Sequence, residues 1–142
     1  MGETKNINLL HSEIGNVFHE MSVRLGLSDS VSSILYTICN FGDSCLLSDI
    51  ISMTGIPKQT INSALRKLER EGILRVEAVE RRRRSVVLTE DGLILAQRTA
   101  GQMIRMEDDI FAAWTEEERR IYLDLSRRYL NQLKEKAKEL QL

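Results

Sequence analysis

LSDIISMTGIPKQTINSALRKLEREGILRVEAVERRRRSVVLTEDG, residues 47–92, carries two short helical periods followed by a strand period. Ser48 is the expected N-cap of a short helix, Asp49 to Met53, whose aspartate suits the positive end of the helix dipole. Gly55 breaks that helix. Pro57 stands at or beside the first position of the next one, where its missing N–H costs nothing. This second helix runs to about Arg70, with Ile61, Ala64, Leu65 and Leu68 on one face and Gly72 at its end. Beyond Gly72, Ile73–Val79 and Ser85–Leu88 are β-branched-rich runs flanking Glu80-Arg81-Arg82-Arg83-Arg84, which predicts a β-hairpin with a charged tip. Two helices joined through Met53-Thr54-Gly55-Ile56 and followed by a basic hairpin make a winged helix-turn-helix.

Working outward, Ile7, Leu10, Ile14, Val17, Phe18, Met21 and Leu25 fall in steps of three and four, predicting a long helix from about 5 to 26. Ser28 and Asp29 offer the cap of another helix. Its stripe is Val31, Ile34, Leu35 and Ile38, and Phe41-Gly42-Asp43 closes it. Downstream, Thr89 caps a helix that opens with Glu90 and Asp91 and reaches about Ala113. Thr115 and Glu118 then form a capping-box pair for a last helix carrying Ile121, Leu125, Leu133 and Leu140. The expected fold is mainly α with a small β-hairpin wing. Residues 1–27 form an N-terminal dimerisation helix, 28–89 the winged helix-turn-helix, and 90–142 the C-terminal helices for dimerisation.

The chain has 142 residues, 42% hydrophobic and 29% charged, enough for one packed domain with helical extensions and too apolar for a disordered polyampholyte. No apolar run is long enough to span a bilayer, and the N-terminus lacks the basic-then-apolar pattern of a secretory signal. Two cysteines cannot make a disulfide framework and fit a reducing compartment. A cytoplasmic location without a membrane partner is expected.

The net charge of −1 conceals a division. Between Pro57 and Arg84 stand nine Lys+Arg and four Glu, a net of +5, while the remainder holds eleven basic and seventeen acidic residues, a net of −6. On a helical wheel, Gln59, Ser63, Arg66 and Arg70 fall opposite the apolar face of the second helix, flanked by Thr60, Asn62 and Lys67. Gln and Asn match adenine, Arg matches guanine, and Ser serves several acceptors, so Gln59, Asn62, Ser63 and Arg66 are the candidate base readers. Lys58 and Thr60 are candidate phosphate contacts at the helix start. Arg81, Arg82, Arg83 and Arg84 repel one another and gain little from Glu80. At a hairpin tip they suit phosphates or a narrow minor groove. The alternation of a strand aims two of the four at DNA without saying which two.

Several segments resemble the MarR family of bacterial transcriptional regulators: Leu47-Ser48-Asp49-Ile50, Gly55 to Thr60, Leu68 to Leu74, Arg81-Arg82, and Val87 to Gly92. The resemblance implies a homodimer built by interleaving the N- and C-terminal helices and bound to a pseudo-palindromic operator. It further implies a repressor released by a small-molecule effector or by oxidation. Two positions depart from the pattern. Glu80 and Arg82 replace the usual aspartate-then-arginine of the wing, a change that still permits an ion pair, and Pro57 stands where a serine or threonine cap is common. Independently, the apolar faces of the terminal helices call for a two-fold partner.

Other readings weigh less. His11 and His19 lie two turns apart, too far to share one ion within a chain, so neither metal nor cofactor is expected. Cys39 falls on the buried side of its helix and Cys45 in a short extended stretch. Neither stands in the first helix, where peroxide-sensing family members carry their cysteine. Tyr36, Trp114 and Tyr122 are effector-cavity candidates that serve equally as packing. No nucleophile–base arrangement and no phosphate-binding glycine loop appears, so the chain is read as no enzyme. The rival class is a winged helix used only for protein contacts. A thiol- or metal-responsive regulator of the same fold is the other alternative.

Overall fold

The computed structural model describes residues 2–142. The elements are α1 (Gly2–Arg24), α2 (Asp29–Asn40), β1 (Ser44–Leu46), α3 (Leu47–Thr54), α4 (Lys58–Arg70), β2 (Leu74–Glu80), β3 (Arg83–Leu88), α5 (Glu90–Arg98), α6 (Ala100–Ala112) and α7 (Glu116–Ala137). They divide into two compact units, one reaching Arg105 and the other Met106–Leu142.

The first unit is a winged helix-turn-helix on a single apolar core. Ile34, Leu35 and Ile38 of α2, Ile50 of α3, Ile61 and Leu68 of α4, Leu74 of β2 and Val86 of β3 are all buried. Each such side chain contributes about 1.5–3 kcal/mol on leaving water. The α2 stripe is the one its spacing predicts, and Ser28 caps the helix by accepting the Val31 N–H at 3.3 Å. Between α3 and α4, Gly55 takes φ 65°, and the Thr54 hydroxyl donates to Ile50 O while accepting from the Ile56 N–H. At the end of α4, the Ile73 N–H reaches Leu68 O (2.9 Å) and the Gly72 N–H reaches Glu69 O (3.1 Å), a Schellman closure that turns the chain into β2.

Outside the wing, four features differ from the sequence reading. Helix α1 begins at Gly2, earlier than its apolar period shows, because the added turn is polar. Helix α3 begins at Leu47, so Leu46 and not Ser48 occupies the cap position. Leu46 is still a strand residue there, paired with Ser85, and strand passes to helix without a loop. The Asp49 carboxylate turns back to accept the Leu46 N–H at 3.2 Å, which satisfies the junction. Third, Ser44–Leu46 form a strand, completing a three-stranded antiparallel sheet of order β1-β3-β2. Three residues are too few to display an alternation, so the sequence shows only an extended stretch.

The fourth difference is a break in the helix expected from Thr89 to Ala113. Thr99 leaves helical geometry (φ −122°, ψ −100°) and separates α5 from α6. Side chains take over the freed carbonyls. Arg105 Nη2 donates to Gln97 O at 2.7 Å, the Gln102 amide donates to Arg98 O, and the Thr99 hydroxyl donates to Leu95 O. The apolar period runs through the break unchanged, which is why one helix is the natural reading.

In the second unit the chain turns at Trp114. Arg119 Nη1 donates to Phe111 O (2.9 Å) and Trp114 O (2.6 Å), and Thr115 with Glu118 forms the predicted capping box. The Thr115 N–H, donating to the Glu118 carboxylate at 2.8 Å, and then the Thr115 side chain hold that carboxyl below its ordinary range. Helix α7 has no buried residue, and Ile121, Leu125, Leu130 and Leu133 are exposed on it. The aromatic candidates pack on rings. Trp114 and Tyr122 meet at 5.4 Å with Phe111 against both, and Tyr36 meets Phe18 edge-on at 5.7 Å.

Candidate nucleic-acid interface

Helix α4 is strongly two-sided. Ile61, Ala64, Leu65 and Leu68 are buried, and Lys58, Gln59, Thr60, Ser63, Arg66, Lys67 and Arg70 are exposed. Asn62 is half-buried. The helix starts after Pro57, which occupies the cap position (φ −53°, ψ 137°) without a side-chain bond to the first turn. The N–H groups opening α4 therefore have no side-chain cap and face solvent, ready for an anion.

The hairpin supplies the second element. Strand β3 starts at Arg83, two residues before the expected Ser85, so Arg83 and Arg84 belong to the strand and Arg81-Arg82 form the turn. Arg81 takes φ 22°, a backbone value uncommon outside glycine, next to an irregularity between Ala78 and Glu80. The wing is braced at its base. Glu69 of α4 accepts the Val76 N–H of β2 (3.3 Å), and Arg75 pairs with Glu77 along the strand. Glu80 and Arg82 form no ion pair among the described residues, so the pairing that their spacing permits is not what supports this wing.

These elements meet in a groove of about 630 Å³ lined by Lys58 and Asn62 of α4, all four wing arginines, and a wall of Leu46, Leu47, Ser48 and Ile51. Among the described residues, no carboxylate lines it. Among the described residues, Lys58, Arg66, Lys67, Arg70 and Arg81–Arg84 form no ion pair, whereas Arg120, Arg127, Lys136 and Lys138 of the C-terminal unit all do. One face thus holds uncompensated cations around a concavity. Such an array attracts a polyanion over distances near the Debye length. Of the predicted residues, Lys58, Asn62 and the four arginines come together in the groove. Gln59, Thr60, Ser63 and Arg66 lie on α4 outside its lining. The leucine wall went unpredicted because its residues belong to β1 and the start of α3, where strand pairing displaced the expected boundaries.

The sensing candidates resolve differently. Cys45 is buried, and burial together with the nearby Asp49 carboxylate pushes its thiol up to about 11. Cys39 is half-buried and also raised, by burial against a smaller opposing effect of Arg105. Thiols held protonated this way react slowly. Iodoacetamide applied to the folded protein near pH 8 is accordingly expected to label Cys45 on the order of 100-fold more slowly than the urea-unfolded chain, as peptide mass mapping would read. His19 Nδ1 lies 2.8 Å from the Asp29 carboxylate. Among the described residues no three His, Cys, Asp or Glu side chains gather as a metal site. No helix among them is long and apolar enough to cross a membrane.

Residues 25–85 match the sequence model of the MarR family. A search of curated proteins finds no match. Among solved structures, the chain is similar to a MarR family regulator from Neisseria meningitidis at 23% identity and TM-score 0.79, covering 99% of this chain and 100% of that one. It is also similar to MepR of S. aureus in its DNA-binding conformation, at 19% identity and TM-score 0.73, covering 92% and 98%. NadR in complex with 4-hydroxyphenylacetate follows at 19% identity and TM-score 0.68, covering 87% and 90%. With the two-sided α4, the basic wing and the uncompensated groove, these findings give residues 25–85 the sequence pattern of the MarR family and the chain the winged helix-turn-helix fold of the MarR regulators it is similar to.

Proposed function

We propose that the protein is a cytoplasmic homodimeric repressor that occupies a pseudo-palindromic operator and leaves it when a small molecule binds. The observation that carries the DNA-reading half is the groove in which Lys58, Asn62 and Arg81–Arg84 converge with no carboxylate among them. In this reading α4 lies in the major groove, where Gln59, Asn62, Ser63 and Arg66 contact base edges and Lys58 and Thr60 contact phosphates. The wing reaches the adjacent minor groove or its phosphate rim.

Dimerisation draws support from exposed apolar residues on both terminal helices. On α1, Ile7, Leu10, Ile14 and Val17 are about half exposed, as are Ile121, Leu125 and Leu133 on α7. Contiguous apolar surface of this kind marks an interface, and a two-fold partner closes it. Residues 1–27 and 90–142 serve as the dimerising segments. Release by a small molecule draws support from NadR, whose structure holds 4-hydroxyphenylacetate. A cavity of about 260 Å³ beside the α5–α6 break, lined by Cys39, Leu93, Gln97 and Arg105 among others, has room for a small ligand.

Selection of binding duplexes from a random-sequence library, followed by footprinting, tests the proposal. Two inverted half-sites about one helical turn apart are expected, protected by two chains as counted by sedimentation. Recovery of no preferred sequence, or protection by one chain of an asymmetric site, contradicts it.

A further inference from the structure

The sheet register separates four arginines that look equivalent in sequence. Successive side chains of β3 point to opposite faces. Val86 and Leu88 are buried, and Cys45, directly across from Val86 on β1, is buried beside them in the core that includes Ile50 and Ile61. That face of the sheet is therefore turned toward α3 and α4. Arg84 stands two residues before Val86, opposite Ala78, and emerges from the same face. Arg83 shares the other face with Ser85 and Val87, and Arg81 and Arg82 lie in the turn.

Across the groove, Lys58 and Asn62 stand one helical turn apart on α4 and present their side chains to the same space. Neither Lys58 nor Arg84 has a carboxylate partner among the described residues. Leu46, Leu47 and Ile51 form the adjoining wall. An apolar wall reduces screening of charges set against it, so a shared anion is bound more strongly there than on an open surface.

We propose that Arg84 and Lys58 hold one DNA phosphate between them, so that Arg84 works with helix α4 and the other three arginines work as the wing. This rests on the DNA-binding reading, and the experiment separates the two. Affinity for a duplex recovered from a random-sequence library is measured over a salt series for the parent and for single and double variants. If the parent binds no duplex, the DNA-binding reading falls and this proposal with it.

Given parental binding, Arg84→Ala is expected to weaken affinity about tenfold, and Arg83→Ala less than about threefold. Because one phosphate is shared, Lys58→Ala combined with Arg84→Ala lowers the log–log salt slope by about one and not by two. Lys58→Ala combined with Arg83→Ala behaves additively in affinity. Arg84→Lys keeps the charge and is expected to return affinity to within about threefold of the parent. It also guards against a mere folding defect, since thermal midpoints of all variants are compared. Arg83→Ala matching or exceeding Arg84→Ala overturns the proposal. So does a slope that falls by two in the double variant, or an Arg84→Lys variant as weak as Arg84→Ala at an unchanged midpoint.

Discussion

Gly92→Ala is expected to lower stability by about 3 kcal/mol or more, because the new methyl group has no space and its obstacle is backbone. A Cβ at position 92 would lie 1.8 Å from Ile73 O and 2.9 Å from Ile73 C. Ile73 cannot withdraw. It closes the Schellman turn after α4, and its carbonyl accepts the Thr89 N–H at 3.0 Å, while the Thr89 hydroxyl lies 2.5 Å from Gly72 O and 3.0 Å from Ile73 O. Thr89 in turn caps α5 by accepting the Gly92 N–H at 3.1 Å. The start of α5, the end of α4 and the base of the wing are thus pinned in one small space. Urea unfolding followed by circular dichroism would measure the loss. Gly101→Ala supplies a graded comparison, since its Cβ would meet Ala96 O at 2.9 Å, and a smaller effect of about 1–2 kcal/mol is expected there. If Gly92→Ala unfolds at the parental midpoint, the packing described at this junction is wrong.

Replacing Arg81, Arg82, Arg83 and Arg84 together by alanine is expected to weaken binding to every duplex about 100-fold or more near physiological salt. The four residues are exposed, carry no ion pair among the described residues and line the groove, so their loss removes charge without opening the core. Arg66→Ala, by contrast, removes one cation from the open face of α4. It is expected to cost about 1–3 kcal/mol against the preferred sequence and to relax preference at one base position. Competition binding with preferred and scrambled duplexes distinguishes the two effects. A wing variant that loses only sequence preference, or an Arg66→Ala variant that loses affinity uniformly, reverses the assignment of reader and clamp.

Much of this was legible in the sequence, for reasons that particular residues make plain. The apolar stripes of α2 and α4 announce themselves by period, and Thr89, Thr115 and Ser28 announce helix starts through side-chain chemistry that acts within three residues. What escaped depends on partners distant in sequence. Ser48 looks like a cap because local preference favours it, but β1 pairs with β3, forty residues on, and carries Leu46 into that position. The break at Thr99 hides because Arg105 and Gln102 restore the lost carbonyl bonds from outside the backbone pattern. The candidate site divides along the same line. The face of α4 is periodic and therefore visible, while the leucine wall and the separate aim of Arg84 follow only from the sheet register.

The near-neutral net charge is the least informative number about this chain, and the position of its cations the most. The groove between α4 and the wing is claimed to be a phosphate-binding surface, and the dependence of DNA affinity on salt reads that claim directly. For a duplex recovered by selection, the logarithm of affinity should fall linearly with the logarithm of salt concentration, with a slope of about −0.9 for each phosphate neutralised. A steep slope in the parent that flattens by about two on removal of the four wing arginines is the predicted result. A salt-independent affinity, or a slope unchanged when those arginines are lost, would contradict it.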